Sequence, residues 1–356
     1  MSHMFTPGPV DVAPEVLEAQ AKPMIPHRTA EFNEFFRGTE DKLKKVFLTD
    51  SRVFQPPATG SGMQEAGIRN LVQKDVLSCV NGAFSQRWYQ VAVDNGKQPD
   101  RLDVTWGEHI PPGMLADALK KKSYEAVTIV HNETSTGVEN PLKELAAVVH
   151  EVSPDTLILV DAVSSLGGVK VETDAWGVDF ILTSSQKCMA LPPGMSFVAV
   201  SDRCLKKAET VDHRGWYFDI LRLEKHRIKN STPMTPSMSL IWALDVQLDR
   251  MLAEGLENRY ARHAAMAERV QSWAVEHGME TLASEGYRSK TVSNIKNLRG
   301  VDIAALNEFL LSKGMRIANG YGELKNKTFR IAHMGETQMH HIDELLEAFE
   351  TFLEKM

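Results

Sequence analysis

Residues 156–187 read TLILVDAVSSLGGVKVETDAWGVDFILTSSQK, and this stretch decides the fold. One apolar run ends on Asp161, and a second, VDFILT, leads through small hydroxyl residues to Lys187. Short runs of this kind recur at EAVTIV (125–130) and SFVAV (196–200), and they alternate with helical patterns such as PPGMLADALKKK (111–122) and PLKELAAVVHEV (141–152). Short β-rich runs separated by helices predict an α/β fold with a mainly parallel sheet and helices on both faces. In such sheets ligands bind outside the carboxyl ends of the strands. Asp161 and Lys187 therefore fall on one functional edge.

Outward from that core, PEVLEAQ reads as a helix, and EFNEFFRGTEDKLKKVF (31–47) carries a stronger three-to-four apolar spacing. From about residue 238 the pattern becomes one long helical region reaching His277, followed by a closing amphipathic stretch, MHHIDELLEAFETFLEKM. These features divide the chain into a segment over residues 1–20, a large domain over 21–254 and a smaller α+β domain over 255–356. The opening residues 1–3 read as a cloning remnant.

The bulk composition excludes several function classes. The chain has 356 residues, 43% of them hydrophobic and 24% charged, with a formal charge of -7. That charge gives no footprint for nucleic acid or an anionic membrane, and no apolar run is long enough to cross a bilayer. Cys79, Cys188 and Cys204 lack the paired spacing of a zinc site or a disulfide framework. They fit a reducing cytoplasm. A small-molecule partner and no metal are expected.

A single aspartate at a strand end is ordinarily a cap, and a single lysine there is ordinarily solvated. Together, each bordered by small residues, they fit a pyridoxal phosphate site: an amine joins the aldehyde and a carboxylate pairs with the pyridinium nitrogen. The apolar turn CMALPPG (188–194) supplies a wall that disfavours the charged form of Lys187 and leaves a nucleophile. Upstream, PPATGSGMQEAGIRNLV (56–72) places Gly60, Ser61 and Gly62 before a helix, where free N–H groups attract a phosphate. It does not match the phosphate loop of nucleotide hydrolases. In NGAFSQRW (81–88), Phe84 or Trp88 could stack on a flat ring, and in HNETSTGVENP (131–141) Thr134 could point a hydroxyl at it.

The order of these pieces resembles the class V aminotransferases, pyridoxal phosphate enzymes of fold type I, and most of all the alanine–glyoxylate and serine–pyruvate group. The likeness runs from TPGPVDV (6–12) through GSGMQEA, NETSTGVENP, VDAVSSLGG and SSQKCMALPPG to TFRIAHMG (328–335). It implies a seven-stranded sheet, Lys187 as the Schiff-base lysine and Asp161 as the partner of the ring nitrogen. It assigns Ser61, Gly62 and Met63 to the phosphate turn, Phe84 to ring stacking, and Thr134 and Gln186 to further cofactor contacts. Arg330 would hold the substrate's α-carboxylate, a planar group that suits a guanidinium better than an ammonium. The family builds its site across a homodimer, so Thr235 would reach the neighbour's phosphate, or else cap the following helix. The resemblance implies transamination between a small L-amino acid, alanine or serine, and glyoxylate or pyruvate. The alternatives are a 2-aminoethylphosphonate-type transaminase, a carbon–sulfur lyase, or a regulatory protein on the same fold. The lyase requires a nucleophilic cysteine late in the chain, and none follows Cys204.

Overall fold

The computed structural model describes residues 3–355. Its large sheet has seven strands in the order Arg52–Phe54, Ser196–Val200, Phe180–Ser184, Leu157–Asp161, Ala126–Val130, Asp75–Val80 and Gln98–Asp103. Five neighbouring strands, from Phe180–Ser184 to Gln98–Asp103, run parallel, and Ser196–Val200 is antiparallel to both of its neighbours. The central strands are buried on both faces, which explains why they read as continuous apolar runs. Ile158 and Val160 join one core with Phe32, Leu115, Leu145 and Leu244. Leu157 and Leu159 point the other way, into a second core with Met63, Ile68 and Trp88. The period-two alternation of one strand thus serves two helical layers.

The long helical region is two helices, Met238–Glu254 and Leu256–Glu276. Gly255 separates them at φ 82, in the left-handed region that favours glycine. The second helix packs, through Met266, Val270 and Trp273, on a five-stranded sheet built mostly from the last third of the chain. The amphipathic closing stretch is the helix Met339–Leu353, which buries Ile342, Leu345, Leu346, Phe349 and Leu353 in the same core.

The opening segment does not stay with the large sheet. His3–Phe5 forms an edge strand parallel to Met315–Asn319, and the chain then crosses to Val10, whose N–H donates to the carbonyl of Gln186. Of the expected cloning remnant, Met1 and Ser2 lie outside the described residues, while His3 heads this strand. No helix among the described residues is long and apolar enough to cross a membrane.

Candidate active site

The register of the parallel strands aligns the two charged residues. Asp161 is the last residue of its strand and pairs with Leu182; three residues beyond the end of Phe180–Ser184 the chain delivers Lys187. Both line one cleft of about 150 Å³ together with Ser61, Gln64, Phe84, Thr134 and Gln186.

Asp161 is buried, and its carboxylate meets no cation. The Gln64 amide donates to Oδ2 at 2.7 Å and the Val163 N–H donates to Oδ1 at 2.9 Å. Burial pushes its pKa up to about 6 against the pull of those two bonds, and the nearby charge of Glu133 pushes the same way. A cationic ring nitrogen would relieve that cost.

Lys187 is half-buried, and its ammonium donates to the carbonyl of Pro7. Its pKa is lowered to about 8, first by burial and then by the positive charge of Arg330. The four residues after it, Cys188 to Leu191, are fully buried, as the apolar turn predicted. Gly8, at φ +102, passes so close that a Cβ there would lie 2.7 Å from the lysine side chain. Glycine is thus needed for its φ, and any larger residue would also displace the end of the lysine side chain.

Helix Gly60–Leu71 starts at this edge, capped by Thr59, whose hydroxyl accepts from the Gly62 N–H at 3.2 Å. Ser61 lines the cleft. Met63 does not: its side chain lies in the core and its N–H bonds Thr59, so only its position in the turn links it to a phosphate. Between the two aromatic candidates the structure is unambiguous. Trp88 is fully buried and its indole donates to the Gln64 carbonyl, whereas Phe84 lines the cleft.

Phe84 sits in the first turn of helix Ala83–Asp94. The buried carboxylate of Glu133 accepts from the N–H groups of Phe84 and Ser85 and from the hydroxyls of Ser85 and Ser135. It thereby caps this helix at its positive end. A Cβ on Gly82 would lie 2.3 Å from Glu133, so glycine admits the cap. The next residue, Thr134, shares a 2.5 Å hydrogen bond with Ser164.

Arg330 enters from the smaller sheet. It lies in strand Thr328–Ala332, is 8% exposed, and donates to the carbonyls of Asn319 at 3.1 Å and Thr134 at 3.4 Å. Burial lowers its pKa to about 10, and no carboxylate pairs with it. Gly62, Met63 and Arg330 are not among the residues that line the cleft, and neither is Thr235. It is exposed in the loop before Met238–Glu254, outside its own chain's cleft, and the helix N-cap is Ser237. The expectation that Thr235 caps this helix is therefore corrected.

Gln64, Arg87, Val163 and Ser184 also line the cleft, and sequence reasoning missed them. The Ser184 hydroxyl and the Asn132 side-chain oxygen at its wall have no partner. Buried polar atoms of this kind mark a place prepared for a polar ligand. An unpaired buried carboxylate, a lysine of lowered pKa and an aromatic face on one strand-end cleft define the class: a pyridoxal phosphate-dependent enzyme.

Comparison with known proteins carries this further. The sequence profile described as Aminotransferase class-V matches residues 17–324, and the chain belongs to that family. It is 39% identical to an uncharacterized aminotransferase of Methanocaldococcus jannaschii, over 93% of this chain and 87% of the relative. It is 33% identical to the L-aspartate–glyoxylate aminotransferase of Paracoccus denitrificans, over 93% and 86%. The crystal structure of an alanine–glyoxylate aminotransferase from Nostoc sp. superimposes with a TM-score of 0.94 at 30% identity, covering 99% of this chain and 95% of that one. The protein is an enzyme, an aminotransferase whose cofactor is pyridoxal 5′-phosphate. A regulatory role without catalysis is thereby set aside.

Proposed function

We propose that this enzyme moves an amino group from a small L-amino acid to glyoxylate or pyruvate, with Lys187 as the amine that joins the cofactor's aldehyde. The observation that carries the reading is the pairing of an amine of lowered pKa with an uncompensated buried carboxylate in one cleft. Relatives named for serine and for alanine with glyoxylate support the substrate class.

The bound cofactor supplies an electron sink for a carbanion at the substrate's Cα. This chain's residues do the rest. Asp161 would hold the proton on the ring nitrogen. The first turn of Gly60–Leu71, with Ser61 and Gly62, would take the phosphate, and Phe84 would cover the ring. Arg330 would hold the α-carboxylate. Lys187, as a free base, would carry a proton from Cα. Amino donor and 2-oxo acid use the site in turn.

The three cysteines are buried, and burial pushes Cys79 and Cys188 up to about 12 and raises Cys204 as well. None offers the thiolate that a carbon–sulfur lyase needs. We read the working form as a cytoplasmic homodimer in which exposed Thr235 meets the partner's cofactor.

A panel of amino donors against glyoxylate and pyruvate tests the reading, run on the wild type and on Lys187→Ala. The variant is expected to keep its fold, lose the visible absorbance that pyridoxal phosphate gives in the wild type, and lose transamination by more than about 10³-fold. Full activity of Lys187→Ala would end the mechanism.

A further inference from the structure

The cleft holds a second guanidinium that the scheme above leaves unused. Arg87, one turn after Phe84 in helix Ala83–Asp94, lines the cleft with Lys187 and Asp161. Its hydrogen bonds go to two neutral hydroxyls, Ser61 at 3.2 Å and Tyr321 at 3.1 Å. Most half-buried arginines in this chain have a carboxylate: Arg52 has Asp202, Arg227 has Glu40 and Glu224, Arg262 has Glu254. A half-buried guanidinium aimed into a ligand cleft and paired with hydroxyls alone is incompletely compensated, and an anion is what completes it.

Tyr321 fixes where that anion would sit. It belongs to the turn between strands Met315–Asn319 and Thr328–Ala332, and it reaches the cleft's wall through Arg87 and Phe84. Its ring centroid is 5.4 Å from that of Phe84 and 5.5 Å from the Arg330 guanidinium carbon. The Arg87 guanidinium lies 4.9 Å from the centroid of Phe84. Arg330 and Arg87 therefore flank one tyrosine, each free of carboxylates and each presented by a different lobe. Arg87 lies over Phe84, the ring proposed to stack on the cofactor, and its second nitrogen donates to the Tyr321 hydroxyl, on the side of Arg330.

We propose that Arg87, held by the Tyr321 hydroxyl, forms a second anion-binding position that receives the distal carboxylate of a dicarboxylic amino acid such as L-aspartate, while Arg330 takes the α-carboxylate. Tyr321 acts as a positioning residue: its hydroxyl aims the guanidinium, and its ring closes the space between the two charges. The inference rests on reading this cleft as the transamination site, and it narrows the donor from a small L-amino acid to an acidic one.

The test is steady-state kinetics with L-aspartate and L-alanine against glyoxylate, with the affinity for pyridoxal phosphate measured in parallel by absorbance titration. Wild-type enzyme is expected to favour aspartate by at least about tenfold in kcat/KM. In Arg87→Gln the aspartate-to-alanine ratio is expected to fall by about 30-fold, the size of one charge-assisted contact. Arg87→Lys should recover part of the ratio. Tyr321→Phe should raise KM for aspartate several-fold, with kcat and the alanine KM changing less. A wild type without preference for aspartate overturns the proposal. So does an equal loss for both donors in Arg87→Gln, or a cofactor affinity weakened by the same factor, which would make Arg87 a phosphate ligand. Failure of the underlying reading looks different: the wild type would then show neither the visible band nor turnover of any donor.

Discussion

Arg259, in helix Leu256–Glu276, and Arg330, in strand Thr328–Ala332, are both deeply buried, yet the fold treats them in opposite ways. Arg259, 1% exposed, donates to the carbonyls of Cys188 at 3.0 Å and Gly167 at 2.9 Å and pairs with Glu254 at 2.7 Å and Glu336 at 3.1 Å. Glu336 answers in kind. Burial alone would raise its pKa, but Arg259, Arg250 and Gln247 hold it down to about 2. Arg330 has two carbonyls and no carboxylate. A buried charge whose partners are all supplied by the protein is part of the architecture. One whose partner is missing is addressed to a ligand. On this contrast Arg259 joins helix Leu256–Glu276 to the loop that carries Lys187, and Arg330 is the one proposed for substrate.

Arg259→Met breaks the structural half of the contrast and carries the largest expected effect. It leaves the half-buried carboxylates of Glu254 and Glu336 each short of one of two cations and the carbonyls of Cys188 and Gly167 short of a donor, which costs about 3 kcal/mol. Urea unfolding of the cofactor-free protein should show the loss directly as a lower midpoint. A variant with wild-type stability but depressed turnover would mean that Arg259 serves the chemistry, and the contrast would fail.

Arg330→Ala breaks the other half. Here kcat/KM for amino acids and 2-oxo acids should fall roughly 10²-fold, because each presents the same carboxylate to the same guanidinium. Stability should change little, since only two bonds to carbonyls are lost. Arg330→Lys keeps the charge without the two-point geometry and should lose nearly as much. Simple amines without a carboxylate separate a clamp from general damage to the lobe. Equal losses for such an amine and for alanine would reassign Arg330 to structure.

The same distinction explains how much was legible in the sequence. Strands Leu157–Asp161 and Phe180–Ser184 stood out because burial on both faces leaves an unbroken apolar run, and a charged residue closing or following such a run is conspicuous. The edge strand Gln98–Asp103, QPDRLD, buries only Leu102 and contains a proline, so neither periodicity nor composition marks it. Gly255 splits a helix that reads as continuous, because a single glycine inside a helical pattern is tolerated as often as it breaks one. Lys187 and Asp161 could be picked from local context, whereas Phe84 and Trp88 stood as alternatives until the resemblance chose Phe84. Gln64 could not, since its amide meets Asp161 across 97 positions of sequence and nothing around it departs from an ordinary helix. Glu133 was overlooked beside the hydroxyl of Thr134. Its role as the cap that sets Phe84 comes from the close approach of Gly82, which is a fact of tertiary packing. Arg87 and Tyr321 belong to different lobes and acquire meaning only where the lobes meet.

Asp161→Asn sharpens the contrast at its smallest scale, because Asp161 is a buried charge left unpaired by the fold. Its folded pKa of about 6 lies above the unfolded value of about 3.9. Between those values the native state holds more protons than the unfolded state, so this group lowers stability progressively as pH rises from about 4 to 6, and the cost is constant above that. The full difference corresponds to about 3 kcal/mol. Asparagine removes the charge and can keep the local bonds: its oxygen can accept from Val163, and its amide can donate to the Gln64 oxygen, which has no partner in the native fold. The cofactor-free variant should therefore be more stable than wild type at pH 7 by about 1–2 kcal/mol, with the two converging near pH 4. Thermal melts of both proteins from pH 4 to 8 measure this, and parallel curves would show that the carboxylate is not strained. Adding pyridoxal phosphate should reverse the order. On the proposed reading a cationic ring nitrogen would pair with the aspartate and not with the asparagine, so wild type would gain more, and the residue that weakens the empty fold would be the one that holds its cofactor.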